Sequence, residues 1–196
     1  MIVGGANLRH ILLLGLGALP FLTFMAISKS YRIQRLTSFL NPLADPSNTG
    51  YQVLQSSMAL GHGGLTGTGL VGSVQKLQCL PEAHTDFIFA IIGEEFGFAG
   101  SSLFIILFFW LLSRRFLIAL KSKDLFGLIA GMGIVIMIFT QFALNAGAVV
   151  GILPVTGVPL PFISYGGSAL LTNMAAVGLL PSISRQNNRL LADQQL

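Results

Sequence analysis

Hydrophobic residues along this chain fall into four long runs separated by polar stretches. The runs cover about residues 8–27, 87–112, 126–150 and 166–183. Each approaches the ~20 residues that a helix needs to cross a bilayer. The pattern predicts an all-α polytopic membrane protein with about four transmembrane helices, forming a single membrane domain over residues 1–196. The first run is long and continues into Lys29, so we predict a retained helix rather than a signal peptide.

Composition and charge support a membrane protein and set its orientation. The chain is 53% hydrophobic and 9% charged, whereas soluble domains carry about a quarter charged residues. Seven of the 11 basic residues share one side of this arrangement: Arg9, Arg114, Arg115, Lys121, Lys123, Arg185 and Arg189. The positive-inside rule places that side in the cytoplasm. The long loop over residues 28–86 and the Pro-rich link over residues 151–165 are therefore predicted to face outward.

Charge and cysteine content exclude two kinds of site. The net charge of +4 is small and dispersed along the chain, so we expect no nucleic-acid partner. Cys79 is the single cysteine, which rules out an internal disulfide and a cysteine metal cluster.

The long loop contains an apolar–polar stretch followed by a glycine run. The glycines are Gly61, Gly63, Gly64, Gly67, Gly69 and Gly72. Glycine tolerates positive φ and close backbone approach, so the run suits either a tight turn or a cradle for phosphate. It lacks the Lys-Ser/Thr ending of a P-loop, which favours the tight turn.

Five ionisable residues surround the start of the second run: Glu82, His84, Asp86, Glu94 and Glu95. Thr85 or Asp86 is expected to cap the helix, where the helix dipole favours a carboxylate. At 100° per residue, Asp86 heads a stripe formed by Gly93, Gly97 and Gly100. Small residues let another helix approach closely. Asp86 is therefore predicted to face the protein interior at the outer membrane boundary.

The third run and the link after it carry further polar positions. Gln141 and Asn145 lie four residues apart and share a helix face, which indicates hydrogen bonding between helices. Three prolines prevent a regular helix in the link: Pro154, Pro159 and Pro161. Non-helical backbone at membrane depth persists only where it is buried in protein or lines a wet cavity. We therefore predict a re-entrant, cavity-lining link, to which Ser164 adds a hydroxyl.

These segments together predict an outward-facing polar cavity, lined by the long loop, the start of the second span and the Pro-rich link. Basic residues and carboxylates both lie in these segments. Such a cavity suits an anionic, partly lipidic substrate, in an enzyme or in a transporter. Glu94 and Glu95 fall within an apolar run, where acids are costly, and are either a structural pair or part of the cavity.

Three stretches closely resemble one protein family. They read FLNPLADPSNTGYQVLQS, LPEAHTDFIFAIIGEEFG and GILPVTGVPLPFISYGGSALL. All three are similar to the SEDS proteins (shape, elongation, division and sporulation), and the resemblance runs from about Arg9 to Arg185. The wording KLQCLPEAHTDFIFAIIGEE resembles the cell-division branch, FtsW, more than the rod-shape branch, RodA. Members are much longer than this chain, so we expect it to be their C-terminal half, as a fragment or as the product of a split gene.

The resemblance implies a peptidoglycan glycosyltransferase. Such an enzyme polymerises lipid II, the undecaprenyl-pyrophosphate-linked disaccharide-pentapeptide, into glycan strands during septal wall synthesis. A sugar hydroxyl attacks the anomeric carbon of the growing strand, and lipid pyrophosphate leaves. The essential aspartate of the family, in the HTDF motif, falls on Asp86. A carboxylate there can act as a general base; holding a divalent cation, Mg²⁺ or Mn²⁺, is its alternative role. No other cofactor is expected.

Other residues are expected to bind the substrate. The pyrophosphate leaving group needs positive charge nearby, for which Lys76, Arg32 and Arg35 are the candidates. Glu82 and His84 belong to the same motif as Asp86. Together with Ser164, they are expected to support substrate binding.

Two other functions would use the same features. A lipid II flippase or transporter would need the same cavity and charges, and a non-catalytic scaffold would bind division proteins without needing Asp86. The resemblance implies three kinds of partner besides lipid II: the growing glycan strand, a class B penicillin-binding protein, which is a transpeptidase, and other division proteins. It also implies a multi-pass protein of the bacterial cytoplasmic membrane, at the division septum, with its active site facing outward.

Overall fold

The computed structural model of the chain describes residues 8–28, 35, 39, 49–69, 85–122 and 124–193. Regular structure in these residues is helical throughout. The helices are α1 (Leu8–Ile27), α2 (Thr49–Gly63), α3 (Ile88–Leu120), α4 (Leu125–Val149) and α5 (Gly167–Asp193). The predicted all-α class is therefore confirmed.

Four of these helices, α1, α3, α4 and α5, match the four predicted runs. Both α3 and α4 are long and apolar enough to cross a membrane, and α1 contains a shorter apolar stretch, Leu12–Met25. Large apolar side chains of α1 and α3 are exposed, among them Leu13, Phe24 and Trp110. A helix that is apolar on its outer face as well as its inner face is typical of a membrane protein.

The long loop contains a helix, α2, that the sequence pattern did not predict. Its buried residues Val53, Ser56 and Ala59 recur every three positions. This is helical spacing, although the sequence pattern there indicates only an apolar–polar stretch. The Ser56 hydroxyl lies within hydrogen-bonding distance of the carbonyl oxygens of Val53 (2.9 Å) and Val149 (3.0 Å). The second of these bonds ties α2 to the carboxyl end of α4.

Aromatic rings fill the contact between α3 and α4. Phe108 and Phe142 are stacked, with their ring centroids 4.3 Å apart. Phe104 lies 6.2 Å from Phe108, and Phe89 lies 6.1 Å from Phe104. Such pairs contribute about 0.5–1.5 kcal/mol each beyond their area burial. Phe89 and Phe104 both belong to α3 and would lie about 22 Å apart along a straight helix, so their contact requires α3 to bend between them.

The course of α3 is interrupted at Gly97, whose backbone angles (φ 67°, ψ −166°) are not helical. A straight helix of 33 residues would be about 50 Å long, well beyond the ~30 Å of a bilayer core. The kink separates a short segment, residues 88–96, from a longer one that suffices to cross the membrane. Glu94 and Glu95 belong to the short segment and are 0% and 9% exposed. They are buried in protein, with Glu94 Oε1 3.8 Å from His62 Nδ1.

The main chain at the kink is bonded to residues 64–69, which we call the glycine loop. Four hydrogen bonds, which we call the clasp, join the two: Phe98 N to Gly64 O (2.9 Å), Ala99 N to Leu65 O (3.1 Å), Thr68 N to Glu94 O (3.0 Å) and Gly69 N to Glu95 O (3.1 Å). In a regular helix Phe98 N–H would donate to the Glu94 carbonyl, and Ala99 N–H to the Glu95 carbonyl. Four bonds to the glycine loop thus replace two bonds within α3.

The glycine run forms a tight turn here, as predicted. Gly64, Gly67 and Gly69 have positive φ, at 51°, 81° and 89°, a region that glycine enters at little cost. The last glycine of the run, Gly72, lies outside the described residues. The positive φ values turn the main chain of the glycine loop so that it can bond to the kink.

The predicted stripe headed by Asp86 is only partly right. Because α3 begins after Asp86 and is not helical at Gly97, angles counted along one regular helix do not apply. The close approach is nonetheless confirmed at Gly93 and Gly97. A Cβ atom there would overlap the Leu60 side chain and the Gly67 main chain respectively.

We expect Gly63→Ala to destabilise the protein and Gly61→Ala, two residues earlier in α2, to leave it unchanged or slightly more stable. A Cβ at Gly63 would overlap the Gly93 carbonyl, whereas nothing lies within 4 Å of one at Gly61. Helix propensity favours alanine more at Gly61, inside α2, than at Gly63, its last residue. The overlap at Gly63 adds a cost of about 1–3 kcal/mol. The difference in stability is measured by heating each variant in detergent and following the loss of its monodisperse gel-filtration peak. Equal midpoints for the two variants would contradict this packing.

Candidate functional site

The site is built around the turn that precedes α3. Phe87 is 1% exposed and occupies the N-cap position, with φ −112° and ψ 18°. Its carbonyl accepts from the N–H groups of Ala90 (3.0 Å) and Ile91 (3.4 Å). The prediction that Thr85 or Asp86 takes the N-cap position is therefore wrong. Asp86 lies one residue further out and is half-buried.

Asn145 of α4 fixes this turn from the opposite side. Its side chain is 3% exposed, and Nδ2 donates to the carbonyl oxygens of Asp86 (2.8 Å) and Val158 (2.8 Å). One amide group thereby joins α4, the turn before α3 and the Pro-rich link. The prediction of hydrogen bonding between helices is only partly right for Asn145, because its two acceptors lie in the turn before α3 and in the link. The spacing of Gln141 and Asn145 does not indicate that Asn145 bonds to the main chain of Asp86.

The link between α4 and α5 is not helical, as predicted, and it passes beside the Asp86 carboxylate. Gly157 has a φ of 72°, and a Cβ there would lie 3.4 Å from Asp86 Oδ2. A pocket of about 10 Å³, room for about one water molecule, is lined by Asp86, Phe87, Asn145, Ala148, Val155, Thr156, Gly157 and Val158. Gly157 was not predicted; a glycine set between Pro154 and Pro159 is the signal for such a turn.

Arg35 reaches the same link from the long loop. Its Nη1 donates to the Val155 carbonyl oxygen at 2.9 Å, although the two residues are 120 positions apart. Because Val155 lines the Asp86 pocket, the structure brings Arg35 and Asp86 to the same segment of the link. Four other predicted site residues lie outside the described residues, and their roles stay predictions: Arg32, Lys76, Glu82 and His84.

Ser164 is buried in the second half of the link. Its Oγ accepts from the Leu160 N–H (2.8 Å), and its own N–H donates to the Leu160 carbonyl (3.2 Å). These bonds close a turn that holds Phe162 at a φ of 68°, a conformation that a bulky residue adopts only when its surroundings impose it. Ser164 also lines an open cleft of about 410 Å³ beside Ile88 and Tyr165. Its predicted contact with substrate stays a prediction.

The donor set at this site bears on the predicted cation. Across the described ranges, no group of three His, Cys, Asp or Glu side chains is placed to hold a metal ion. Asp86 brings a single carboxylate to the pocket. In phosphate-handling sites Mg²⁺ is bound by one or two carboxylates together with substrate phosphates and water. Asp86 fits a site of that kind and does not fit an all-protein cage. The same carboxylate can also accept a proton from a hydroxyl.

This chain is similar to one family of known proteins along nearly its whole length. A family model for FtsW/RodA/SpoVE proteins, described as cell cycle proteins, matches residues 1–189. Stage V sporulation protein E of Bacillus subtilis (strain 168) is 49% identical over 183 residues, which cover 93% of this chain and 50% of that protein. The "Probable peptidoglycan glycosyltransferase FtsW" of Wigglesworthia glossinidia brevipalpis is 46% identical over 181 residues, covering 91% of this chain and 48% of that protein.

The similarity extends to a solved structure. A chain from work on the "Structural coordination of polymerization and crosslinking by a peptidoglycan synthase complex" matches with a TM-score of 0.69 and 32% sequence identity. The match covers 92% of this chain and 50% of that chain. This chain therefore spans about half the length of the curated relatives and of the solved chain that it matches.

We expect Asn145→Leu to loosen the Pro-rich link. The change keeps the size of the side chain but removes both donors, at a cost of about 1–3 kcal/mol for the carbonyls left behind. A thiol placed at the buried Val155, in a Cys79→Ser background, should then react faster with a membrane-impermeant maleimide. Gln141→Leu, one turn earlier on the same face, is the control and should react at the unchanged rate. Equal rates in the two variants would rule out Asn145 as the clamp.

Proposed function

This chain belongs to the FtsW/RodA/SpoVE family of cell cycle proteins, and we propose that it carries the Asp86 site of a peptidoglycan glycosyltransferase that polymerises lipid II into glycan strands. The names of several relatives support this activity. The observation that carries the proposal is the setting of Asp86. Its main chain is held by the buried Asn145 amide, and its carboxylate lies beside Gly157 at a small pocket.

In the proposed reaction Asp86 accepts the proton of the attacking sugar hydroxyl. The hydroxyl oxygen bonds to the anomeric carbon of the growing strand. The bond from that carbon to the lipid pyrophosphate breaks, and the pyrophosphate leaves with the electron pair. A positioned general base accelerates such a step by about 10²–10⁴-fold. The fixed main chain at Asp86 supports this role, because proton transfer depends on orientation.

Arg35 balances the negative charge of the leaving pyrophosphate, together with Lys76 and Arg32. A guanidinium presents planar donors that suit phosphate oxygens. The bond from Arg35 to the Val155 carbonyl supports this role, because it places the guanidinium at the Asp86 segment of the link. Glu82, His84 and Ser164 complete the proposed substrate-binding set.

Holding a divalent cation, Mg²⁺ or Mn²⁺, is the alternative role that we propose for Asp86. The carboxylate would bind the ion together with pyrophosphate oxygens and water. When bound, the ion would stabilise the charge that develops on the leaving group.

The proposed enzyme is a multi-pass protein of the bacterial cytoplasmic membrane, at the division septum. Arg114 and Arg115 lie at the far end of α3 from Asp86 and belong on the cytoplasmic side, which turns Asp86 outward. A class B penicillin-binding protein crosslinks the strands, and other division proteins join it. The solved relative, described as coordinating polymerization and crosslinking, supports such a partner.

We expect Asp86→Asn to abolish polymerisation and to leave folding and membrane insertion intact, because the amide keeps the size of the carboxylate but is not a base. The assay is strand formation from fluorescent lipid II in proteoliposomes that contain the chain, the other half of a full-length relative and the penicillin-binding protein. Asp124→Asn is the control and should retain full activity, because asparagine suits the N-cap of α4 as well as aspartate does. Strand formation by Asp86→Asn at the unchanged rate would overturn the role of Asp86.

Two outcomes separate the polymerase from its two alternatives, the first in the same proteoliposomes and the second in dividing cells. Movement of lipid II between the leaflets without strand formation would identify a flippase or transporter. A scaffold would be identified if Asp86→Asn rescued a division defect and neither this variant nor the unaltered protein formed strands.

We expect Arg35→Ala to lower kcat/KM for lipid II by about 10–100-fold, the loss expected for a hydrogen bond to a charged group. Arg35→Lys should recover part of it, because it keeps the charge but not the planar fork. Arg114→Ala, at the other end of α3, should leave kcat/KM unchanged. A purely structural role at Val155 would instead reduce the amount of folded Arg35→Ala protein and leave the kcat/KM of the folded fraction unaltered.

A further inference from the structure

The side-chain oxygen of Asn145 is a buried acceptor without a donor. Both hydrogens of Nδ2 are used, on the carbonyl oxygens of Asp86 and Val158. Because both of these partners are acceptors, the amide group can be oriented in only one way. Its Oδ1 is buried, and within the described part of the chain no group donates to it. Buried side-chain acceptors normally have a partner, and where the protein supplies none the partner is commonly an ordered water molecule.

The pocket beside Asp86 has the size and the lining for one small ligand. Its volume is about 10 Å³, and Asn145, Asp86 and Gly157 are among the residues that line it. A cavity of this volume takes about one water molecule. The Asp86 carboxylate lies at its wall, with Oδ2 3.4 Å from the position of a Cβ on Gly157. The pocket therefore brings two acceptors together, Asn145 Oδ1 and the carboxylate of Asp86.

The chemistry of these two acceptors selects the ligand. An amide oxygen and a carboxylate cannot bond to each other, so a group between them has to offer hydrogens or positive charge. A water molecule offers two hydrogens, one for each acceptor. A divalent cation needs about six oxygen ligands, and a pocket with room for one water molecule cannot hold the further waters that would complete that number. The pocket therefore suits water better than a metal ion.

We infer that one ordered water molecule occupies this pocket and donates hydrogen bonds to Asn145 Oδ1 and to the Asp86 carboxylate. Asn145 then holds Asp86 at two points, the main chain directly through Nδ2 and the carboxylate through the water. The water fixes the direction of the carboxylate, so Asn145 is a positioning residue for the side chain of Asp86 as well as for its main chain. The positioning of a base rests on the proposed function of Asp86, whereas the water site stands without it.

NMR cross-relaxation between water and protein hydrogens tests the site in the full chain, held in detergent micelles with EDTA. We expect a cross-peak between the water resonance and the side-chain amide of Asn145, because that amide adjoins the proposed water. The cross-peak should have opposite signs in NOE and ROE spectra, as a long-lived water molecule gives. Hydrogen exchange with bulk water would give the same sign in both spectra.

Three results in the unaltered chain would overturn the inference. The first is the absence of any cross-peak at the Asn145 side chain, and the second is a cross-peak with the same sign in both spectra. The third is a cross-peak that appears only after Mg²⁺ is added in excess of EDTA, because it would place a cation in the pocket.

Ala148→Val tests whether the water lies in this pocket. Ala148 lines the pocket and lies three residues after Asn145, on the same face of α4, so two added methyl groups take the place of the water. We expect the cross-peak to disappear. Ala175→Val, at an exposed position of α5, makes the same change elsewhere and should keep it. Persistence of the cross-peak in Ala148→Val would overturn the site, and if this variant does not fold, the result from the unaltered chain decides.

Polymerisation in the proteoliposomes used for Asp86→Asn separates this inference from the proposed function. Ala148→Val should lower kcat about tenfold, which is part of the roughly 10²–10⁴-fold that a positioned base supplies, and should change KM little. Full kcat in Ala148→Val beside an inactive Asp86→Asn would overturn the positioning role of the water. Full activity in both variants would reject the proposed function of Asp86, while the cross-peak would still establish the water site.

Discussion

The arrangement of this protein depends on one constraint, that main-chain N–H and C=O groups near a membrane need partners within the protein. At Gly97, α3 departs from helical geometry without breaking that rule. Two hydrogen bonds within the helix are lost there, and four hydrogen bonds between α3 and the glycine loop replace them. A helix that is too long for the bilayer can therefore bend beside α2. The bend keeps Glu94 and Glu95 in protein and directs the start of α3 towards the Pro-rich link.

The same constraint shapes the site at the other side of that link. A proline-rich segment cannot pair its carbonyls in a ladder, so side chains supply the donors. Asn145 serves Asp86 and Val158, and Arg35 serves Val155. In the sequence Arg35 looks like a candidate for chemistry and Asn145 like a partner for another helix, yet each is engaged with backbone. The outcome is a turn whose main chain is fixed while its one carboxylate remains at a pocket, which is the combination that a general base needs.

Much of the fold follows from the sequence because the length of an apolar run is a local property. The four long helices, the non-helical link and the tight glycine turn are predictable in this way. The kink is not predictable, because nothing in the sequence distinguishes Gly97 from Gly93 and Gly100. Only the contact with the glycine loop shows that α3 bends at Gly97. The helix α2 escapes notice because its buried face holds Ser56 and small residues instead of large apolar ones. The HTDF motif identifies Asp86 in the sequence. Its contacts with Asn145 and Gly157 cannot be predicted from periodicity, because they join segments that are far apart in the chain.

The clasp is made by main-chain atoms, and this has a consequence for how the protein can vary. Leu65, which is 75% exposed, contributes only its carbonyl to the clasp, so its side chain carries no information about the contact. A comparison of related chains would therefore show fixed glycines at positions 64, 67 and 69 among changeable neighbours. It would show no pairs of side chains that change together between the glycine loop and α3. Two segments that depend closely on each other would thus look independent to any method that infers contact from covariation.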